Sequence, residues 1–453
     1  MNIKDEIIVK VEKMLYEGQG LARVDSFPLF IDNACVGDKL RVEITHLKKN
    51  YGYAQVIEIL EPSEHRVKPF CGLHNVCGGC QWQFIDYKEQ LNQKQNIVAE
   101  TIKKFTGQDV DVLPVIASPV QQEYRHKVQY PIGQTKVSKR LLAGYYKKNT
   151  HELINIKHCP IQPKVIDTLI EGIKEKAQEL NINAYNEKKH TGLLRHVAFK
   201  HSKANGKTLV TFVINNDEVV DSIDNLATYV YKNFDDISGV CVNFNQVKGN
   251  VIFGKTTKCL IGDDFYEEKL NSKVFKISAN SFFQVNPYSA EKIFDTVKDM
   301  VQKNCSNPSV LDAYSGVSSF GIWLSDISKK VVCVEEVVSA SEDANTNKFL
   351  NNAQNVEIVN GDASKIFEKL VEDNQKFDAI ILDPPRKGCS KEALDYVITL
   401  AENIIIYVSC NPTTLARDLK YLHENGFKTE YIQPVDMFPH TYHIESIALI
   451  KKI

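Results

Sequence analysis

From about Lys276 to the C-terminus, strand-length apolar runs alternate with segments of helical period, an order that few folds admit. Val310-Leu-Asp-Ala-Tyr-Ser-Gly316 reads as a strand ending in a turn, with a helix near Ser318–Ile327. Lys330 to Glu335 is a second strand, followed by a helix to about Asn351. Val356 to Asp362 and Phe377 to Asp383 are the third and fourth, and Ile404 to Ser409 is the fifth. Two closing strands run from Lys428 to Val435 and from His443 to Lys451. Strands feeding helices in this way predict a doubly wound, Rossmann-like α/β sheet. Such sheets take ligands at the carboxyl ends of their strands.

The residues at those ends carry chemistry. Glu335 closes the second strand 19 residues after Gly316. An acid there suits ribose hydroxyls, and a glycine in the first turn lets the backbone approach a ligand. The turn is Gly316-Val-Ser318 rather than Gly-x-Gly, and the chain has no P-loop. A ligand with ribose and no phosphates fits best, which points to S-adenosylmethionine. Asp383-Pro-Pro-Arg-Lys-Gly ends the fourth strand, with two prolines stiffening the loop behind the carboxylate. Cys410 ends the fifth, just before a helix that Pro412 opens. A helix N-terminus favours thiolate over thiol, although a lone cysteine at a strand end also serves as a small buried hydrophobe.

The N-terminal part is built differently. Residues 1–61 hold short alternating runs broken by Gly18-Gln-Gly20, Asp32-Asn33 and Gly37-Asp38, as in a five-stranded OB-like β-barrel. Cys71, Cys77 and Cys80 follow, with Cys159-Pro160 about 80 residues later. Four thiols so spaced suit zinc or an iron–sulfur cluster. An amphipathic helix over 86–105 and an α+β region complete a central domain, 62–275, ahead of the C-terminal domain, 276–453.

Net charge is −2, yet residues 121–210 hold 17 Lys+Arg against 7 Asp+Glu while residues 281–453 hold 17 against 24. Tyr124-Arg-His-Lys-Val-Gln-Tyr130 and Gly144-Tyr-Tyr-Lys-Lys148 interleave basic and aromatic residues, as a surface gripping RNA phosphates and unpaired bases would. Eleven cysteines, an odd number, do not suggest a disulfide framework. No apolar run approaches the roughly 20 residues that span a bilayer, and no signal-like segment opens the chain. A cytosolic monomer with no membrane partner is expected.

Taken together these motifs resemble those of the bacterial RNA (uracil-5-)-methyltransferases, which make 5-methyluridine in ribosomal or transfer RNA. The resemblance rests on Cys-x5-Cys-x2-Cys with a later Cys-Pro, Ser281-Phe-Phe-Gln284-Val-Asn-Pro287 and Asp383-Pro-Pro-Arg386. It rests also on Ser409-Cys410-Asn-Pro and Met437-Phe-Pro-His440-Thr-x-His443-x-Glu445, and the first 61 residues resemble a TRAM domain. It implies 23S rRNA as substrate ahead of tRNA, Cys410 as nucleophile and Glu445 as general base. It also implies Gln284, Tyr314, Gly316, Glu335 and Asp383 around S-adenosylmethionine, and a [4Fe–4S] cluster on Cys71, Cys77, Cys80 and Cys159, with zinc as the alternative. Ser315 and Ser318 stand where the family has Cys and Gly, so a crowded cofactor turn is expected. The competing readings are an RNA-binding iron–sulfur protein with an inactive methyltransferase domain, a DNA cytosine-5 methyltransferase, and an amino methyltransferase using the Asp383 loop.

Overall fold

The computed structural model describes residues 1–148 and 150–453. At the N-terminus, six strands form one sheet in the order Glu6–Lys10, Lys39–Leu47, Gly52–Glu61, Phe27–Ile31, Gly20–Val24, Lys13–Met14. Lys39–Leu47 alternates strictly, sending Leu40, Val42 and Ile44 inward, which is the signature of a half-buried strand. The sixth strand, absent from the sequence expectation, is two residues long and too short to show any period.

A seven-stranded mixed sheet forms the middle of the molecule, and the helices Lys164–Glu179 and Asp221–Asn233 pack on it. Leu194–His201 and Thr208–Ile214 are the antiparallel pair expected there, with Val197 opposite Phe212.

The third sheet has eight strands. Its order is Val356–Asn360, Lys330–Glu335, Ser309–Ala313, Phe377–Leu382, Ala401–Ser409, Glu445–Lys452, Phe427–Val435, Asp111–Val112. The chain winds from Ser309–Ala313 first to one side and then to the other, so the carboxyl end of that strand is the switch point at which such sheets take ligands. The two faces of the sheet bury separate apolar cores.

The eight-stranded sheet gathers more chain than the 276–453 boundary allows. Helix Tyr87–Thr106, capped by the Asp86 side chain and ended at Gly107 in the left-handed conformation, packs Val98 and Ile102 into the core of Leu419 and Ile432. Strand Asp111–Val112 then adds to the sheet edge beside Phe427–Val435. The hairpin Phe265–Ser278 likewise buries Phe275 and Ile277 against Phe283 and Phe294. Periodicity announces an apolar face without naming the sheet that it covers. The last strand begins at Glu445 rather than His443, because His440 at φ +66° turns the preceding segment out of extended geometry. No helix among the described residues is long and apolar enough to cross a membrane.

Candidate active site

Strand register gathers the chemistry at one edge. Leu382 pairs with Ala313 and Tyr407, and Ala313 with Val334, so Tyr314, Glu335, Asp383 and Cys410 all leave the sheet on the same side. Ser409 pairs with Ser446 at the end of the antiparallel ladder, so Cys410 leaves one strand beside the point where Glu445 begins the other.

The Asp383 and Cys410 loops form one unit. The side chain of Asn411 caps the Pro412–Glu424 helix by accepting from Thr413 N at 3.0 Å. Asn411 Nδ2 and Thr414 Oγ1 donate to the Arg386 carbonyl at 3.4 and 3.3 Å, and Arg417 donates to the carbonyls of Lys387 and Cys389. Buried Asp418 accepts from Cys389 N at 3.0 Å and from the Tyr407 hydroxyl at 2.6 Å. The folded-back loop brings the Arg386 guanidinium to the Cys410 thiol. Arg386 was legible as part of the Asp383-Pro-Pro-Arg386 motif, but sequence reasoning gave it no role.

Around Cys410, Glu445 and Asp383 act against the Arg386 guanidinium. Burial first, then Glu445, pushes the Cys410 thiol up to about 11, with Arg386 opposing. Burial thus works against the thiolate that a helix N-terminus favours. Glu445, 7% exposed, is raised well above the carboxylate range by burial and then by Asp383, again opposed by Arg386. Burial lifts Asp383 to about 7. His443 lies against the Tyr442 ring at 4.3 Å and is pushed down to about 4 by burial and then Arg386, so it is neutral at neutral pH.

The first turn is tightly wound. Tyr314, Gly316 and Ser318 have φ of +66°, +56° and +61°, the left-handed region that favours glycine. Ser318 thus holds a conformation that a glycine would adopt without strain. Gly321 sits where a Cβ would fall 2.3 Å from Cys333 Sγ, so the helix presses directly on its neighbouring strand. Its N–H donates to Asp312 Oδ2 at 2.9 Å. Glu335 accepts from Gly316 N at 2.8 Å and Val337 N at 2.7 Å. Gln284 lies in the segment leading to the Pro287–Asn304 helix. That segment is held by His126 N to Val285 O at 2.8 Å and by buried Lys200 donating to Ser281 O at 2.6 Å.

Away from this edge, Cys71, Cys77, Cys80 and Cys159 line one small cavity together with His74 and His158. Burial raises Cys80 and Cys159 to about 12. Among the described residues, no three His, Cys, Asp or Glu side chains are placed to hold a metal ion.

Residues 86–453 match the profile of the tRNA (Uracil-5-)-methyltransferase family, and residues 4–57 match the TRAM domain. The chain belongs to that methyltransferase family. An uncharacterized RNA methyltransferase of Bacillus cereus is 37% identical, over 99% of this chain and 98% of its own length. Another from Halalkalibacterium halodurans is 37% identical, over 100% of this chain and 98% of its own. The crystal structure of Pyrococcus abyssi tRNA (uracil-54, C5)-methyltransferase in complex with S-adenosyl-L-homocysteine superposes with a TM-score of 0.76 at 28% identity, covering 98% of this chain and 99% of that one. The protein is an S-adenosylmethionine-dependent RNA (uracil-5-)-methyltransferase with an N-terminal TRAM domain.

The methyltransferase's first turn fits such a cofactor. Ser315 Oγ, Ser318 Oγ and Asp312 Oδ1 are buried without a hydrogen-bond partner, a set that a polar ligand completes. Glu335 keeps lone pairs for ribose hydroxyls beyond its two backbone donors.

Proposed function

We propose that the enzyme methylates C5 of a uridine in structured RNA through Cys410 and Glu445, with 23S rRNA as the first candidate substrate. The observation that carries this reading is that the strand ends bearing Cys410 and buried Glu445 meet at Ser409–Ser446, close enough for Glu445 to act on the Cys410 thiol. S-adenosylmethionine, bound among Gln284, Tyr314, Gly316, Glu335 and Asp383, supplies an electrophilic methyl group and a positive charge. The chain's own residues do the rest. The Cys410 thiolate adds to uracil C6, and the ring electrons move onto the C4 oxygen, so that C5 becomes nucleophilic. Arg386 stabilises the thiolate that burial otherwise opposes. After methyl transfer, Glu445 takes the C5 proton; the electron pair re-forms the C5–C6 double bond and the C6–S bond breaks. A carboxylate desolvated this strongly is a stronger base than one in water, as that step requires.

A cleft of about 1050 Å³ supports an RNA path to this pocket. Phe30, His46 and Tyr53 of the TRAM domain form one wall, Tyr146, Lys147 and Lys148 of the middle sheet another, and Tyr442 lies at the end next to His443. Aromatic and basic side chains facing each other suit unpaired bases and their phosphates, and the target base itself must leave its stack. A tRNA uridine is the second reading, favoured by the likeness to the Pyrococcus abyssi enzyme.

The four cysteines are proposed to hold a [4Fe–4S] cluster. What supports this reading is that all four thiols line one small cavity. Iron and acid-labile sulfide in protein purified without air support the cluster, whereas stoichiometric zinc overturns it.

Glu445→Gln is expected to trap an RNA–protein adduct stable on denaturing gels, because proton removal precedes release, and Cys410→Ala to form none. A persistent adduct in Cys410→Ala refutes the mechanism. Mass-spectrometric mapping of 5-methyluridine in ribosomal and transfer RNA from cells lacking the protein decides the substrate.

A further inference from the structure

The five residues Asp436–His440, which lead into the strand carrying Glu445, have every backbone carbonyl bound by a donor from another part of the chain. Ser289 Oγ donates to Asp436 O at 2.8 Å, and Asn286 Nδ2 to Met437 O at 3.1 Å. Lys94 Nζ donates to Phe438 O at 3.1 Å, the Tyr124 hydroxyl to Pro439 O at 3.0 Å, and Trp82 N to His440 O at 2.9 Å. Three of these five donors lie between residues 82 and 124, far from the loop in sequence.

Two side chains of the Tyr87–Thr106 helix add to this holding. Lys94 and Asp436 form an ion pair at 2.7 Å with neither side chain exposed. Asp436 Oδ2 also accepts from the Tyr87 hydroxyl at 2.9 Å, and Asp436 Oδ1 from Phe438 N at 3.1 Å. Gln90, with no exposed surface, accepts from His440 N at 2.9 Å and donates to Ile85 O at 2.8 Å and Trp82 O at 3.1 Å. The same side chain thus ties the turn just after Cys80 to the residue in the left-handed conformation, His440 at φ +66°. A residue in that conformation persists where its surroundings over-determine it. Removing one partner from a buried hydrogen-bonded pair leaves the other uncompensated.

We propose that Gln90 and Lys94 are positioning residues for Glu445: through the 436–440 loop, the helix that follows the cysteine-bearing segment sets where the carboxylate meets C5. This rests on Glu445 being the proton-abstracting base. On this account the methyltransferase sheet does not place Glu445 by itself.

The test uses the full chain with Gln90→Leu, and with Lys94→Met/Asp436→Asn, which removes both charges of the buried pair if the first variant is unstable. Backbone hydrogen exchange is read over 436–445 and over 404–409. At least tenfold faster exchange in the first segment and no change in the second is expected; unchanged exchange over 436–445 in a folded variant overturns the positioning claim. RNA incubated with S-adenosylmethionine should then give the denaturation-stable adduct of Glu445→Gln, with turnover reduced at least tenfold. Wild-type turnover without adduct, in a preparation where Glu445→Gln does trap, overturns the link to the proton step. If Glu445→Gln itself traps nothing, the reading of Glu445 as base fails, and the exchange data alone decide whether Gln90 and Lys94 hold the loop.

Discussion

Asp312 sits inside the catalytic sheet with no exposed surface, and its protonation state follows from that placement. Burial raises its carboxyl to about 8, with Asp383 and Glu335 adding and the Gly321 N–H opposing. An acid whose folded pKa lies above its unfolded value of about 3.9 contributes stability that is complete below about pH 4. That contribution is lost as pH rises through the folded value. Asp312→Asn mimics the neutral acid and keeps an acceptor for Gly321, so it escapes the loss. The stability of the variant relative to wild type should therefore rise by on the order of 3–4 kcal/mol between pH 5 and pH 8. Urea unfolding of both proteins at the two pH values measures this, and a flat difference would mean that Asp312 is ionised in the fold.

At the scale of elements, the Asp383 loop and the Pro412–Glu424 helix are fastened at Gly388. That residue has φ +74°, and a Cβ there would lie 2.6 Å from both Arg417 Nη2 and Asp418 Oδ2. Gly388→Ala should cost about 1–2 kcal/mol for the left-handed backbone alone. It should also lower turnover, because displacing Arg417 moves the loop that carries Arg386. Gly426 has φ +86° with open space around it, so Gly426→Ala pays the backbone cost without a clash and keeps its turnover. Thermal unfolding and steady-state rates on the pair separate conformation from loop placement. The same elements show what sequence reveals. Lys330–Glu335 stands where its apolar run placed it, because a buried parallel strand writes its own length in the chain. Helix Tyr87–Thr106 was equally plain as a helix, but its partner sheet was not, since the Lys94–Asp436 contact spans 342 positions. Nor does the motif around Arg386 say which way its loop folds. Strand-end residues could be named, whereas the groups that hold or neutralise them depend on tertiary contacts.

For the whole molecule, a cleft lies between the TRAM domain, the middle sheet and Tyr442, and it is the path proposed above for RNA. Its two walls act through different physics. On the TRAM side, Tyr53 meets Phe30, Tyr51 and His46 in an aromatic group with ring centroids 5.6, 5.7 and 6.5 Å away, a platform for a base. Across from it, Lys147 offers charge, and Lys148 joins the walls through an ion pair with Asp32 at 2.8 Å. Loss of a stacking ring removes about 1–3 kcal/mol per base and leaves the counterion count alone. Loss of a phosphate contact lowers the slope of log affinity against log salt by about 0.7–0.9. Tyr53→Ala should accordingly weaken RNA binding at least fivefold at every salt concentration with an unchanged slope, while Lys147→Ala should flatten the slope. Equilibrium binding of a 5-fluorouridine-free RNA at four salt concentrations distinguishes them. If both variants bind as wild type does, the RNA enters by another face and the cleft has no part in substrate recognition.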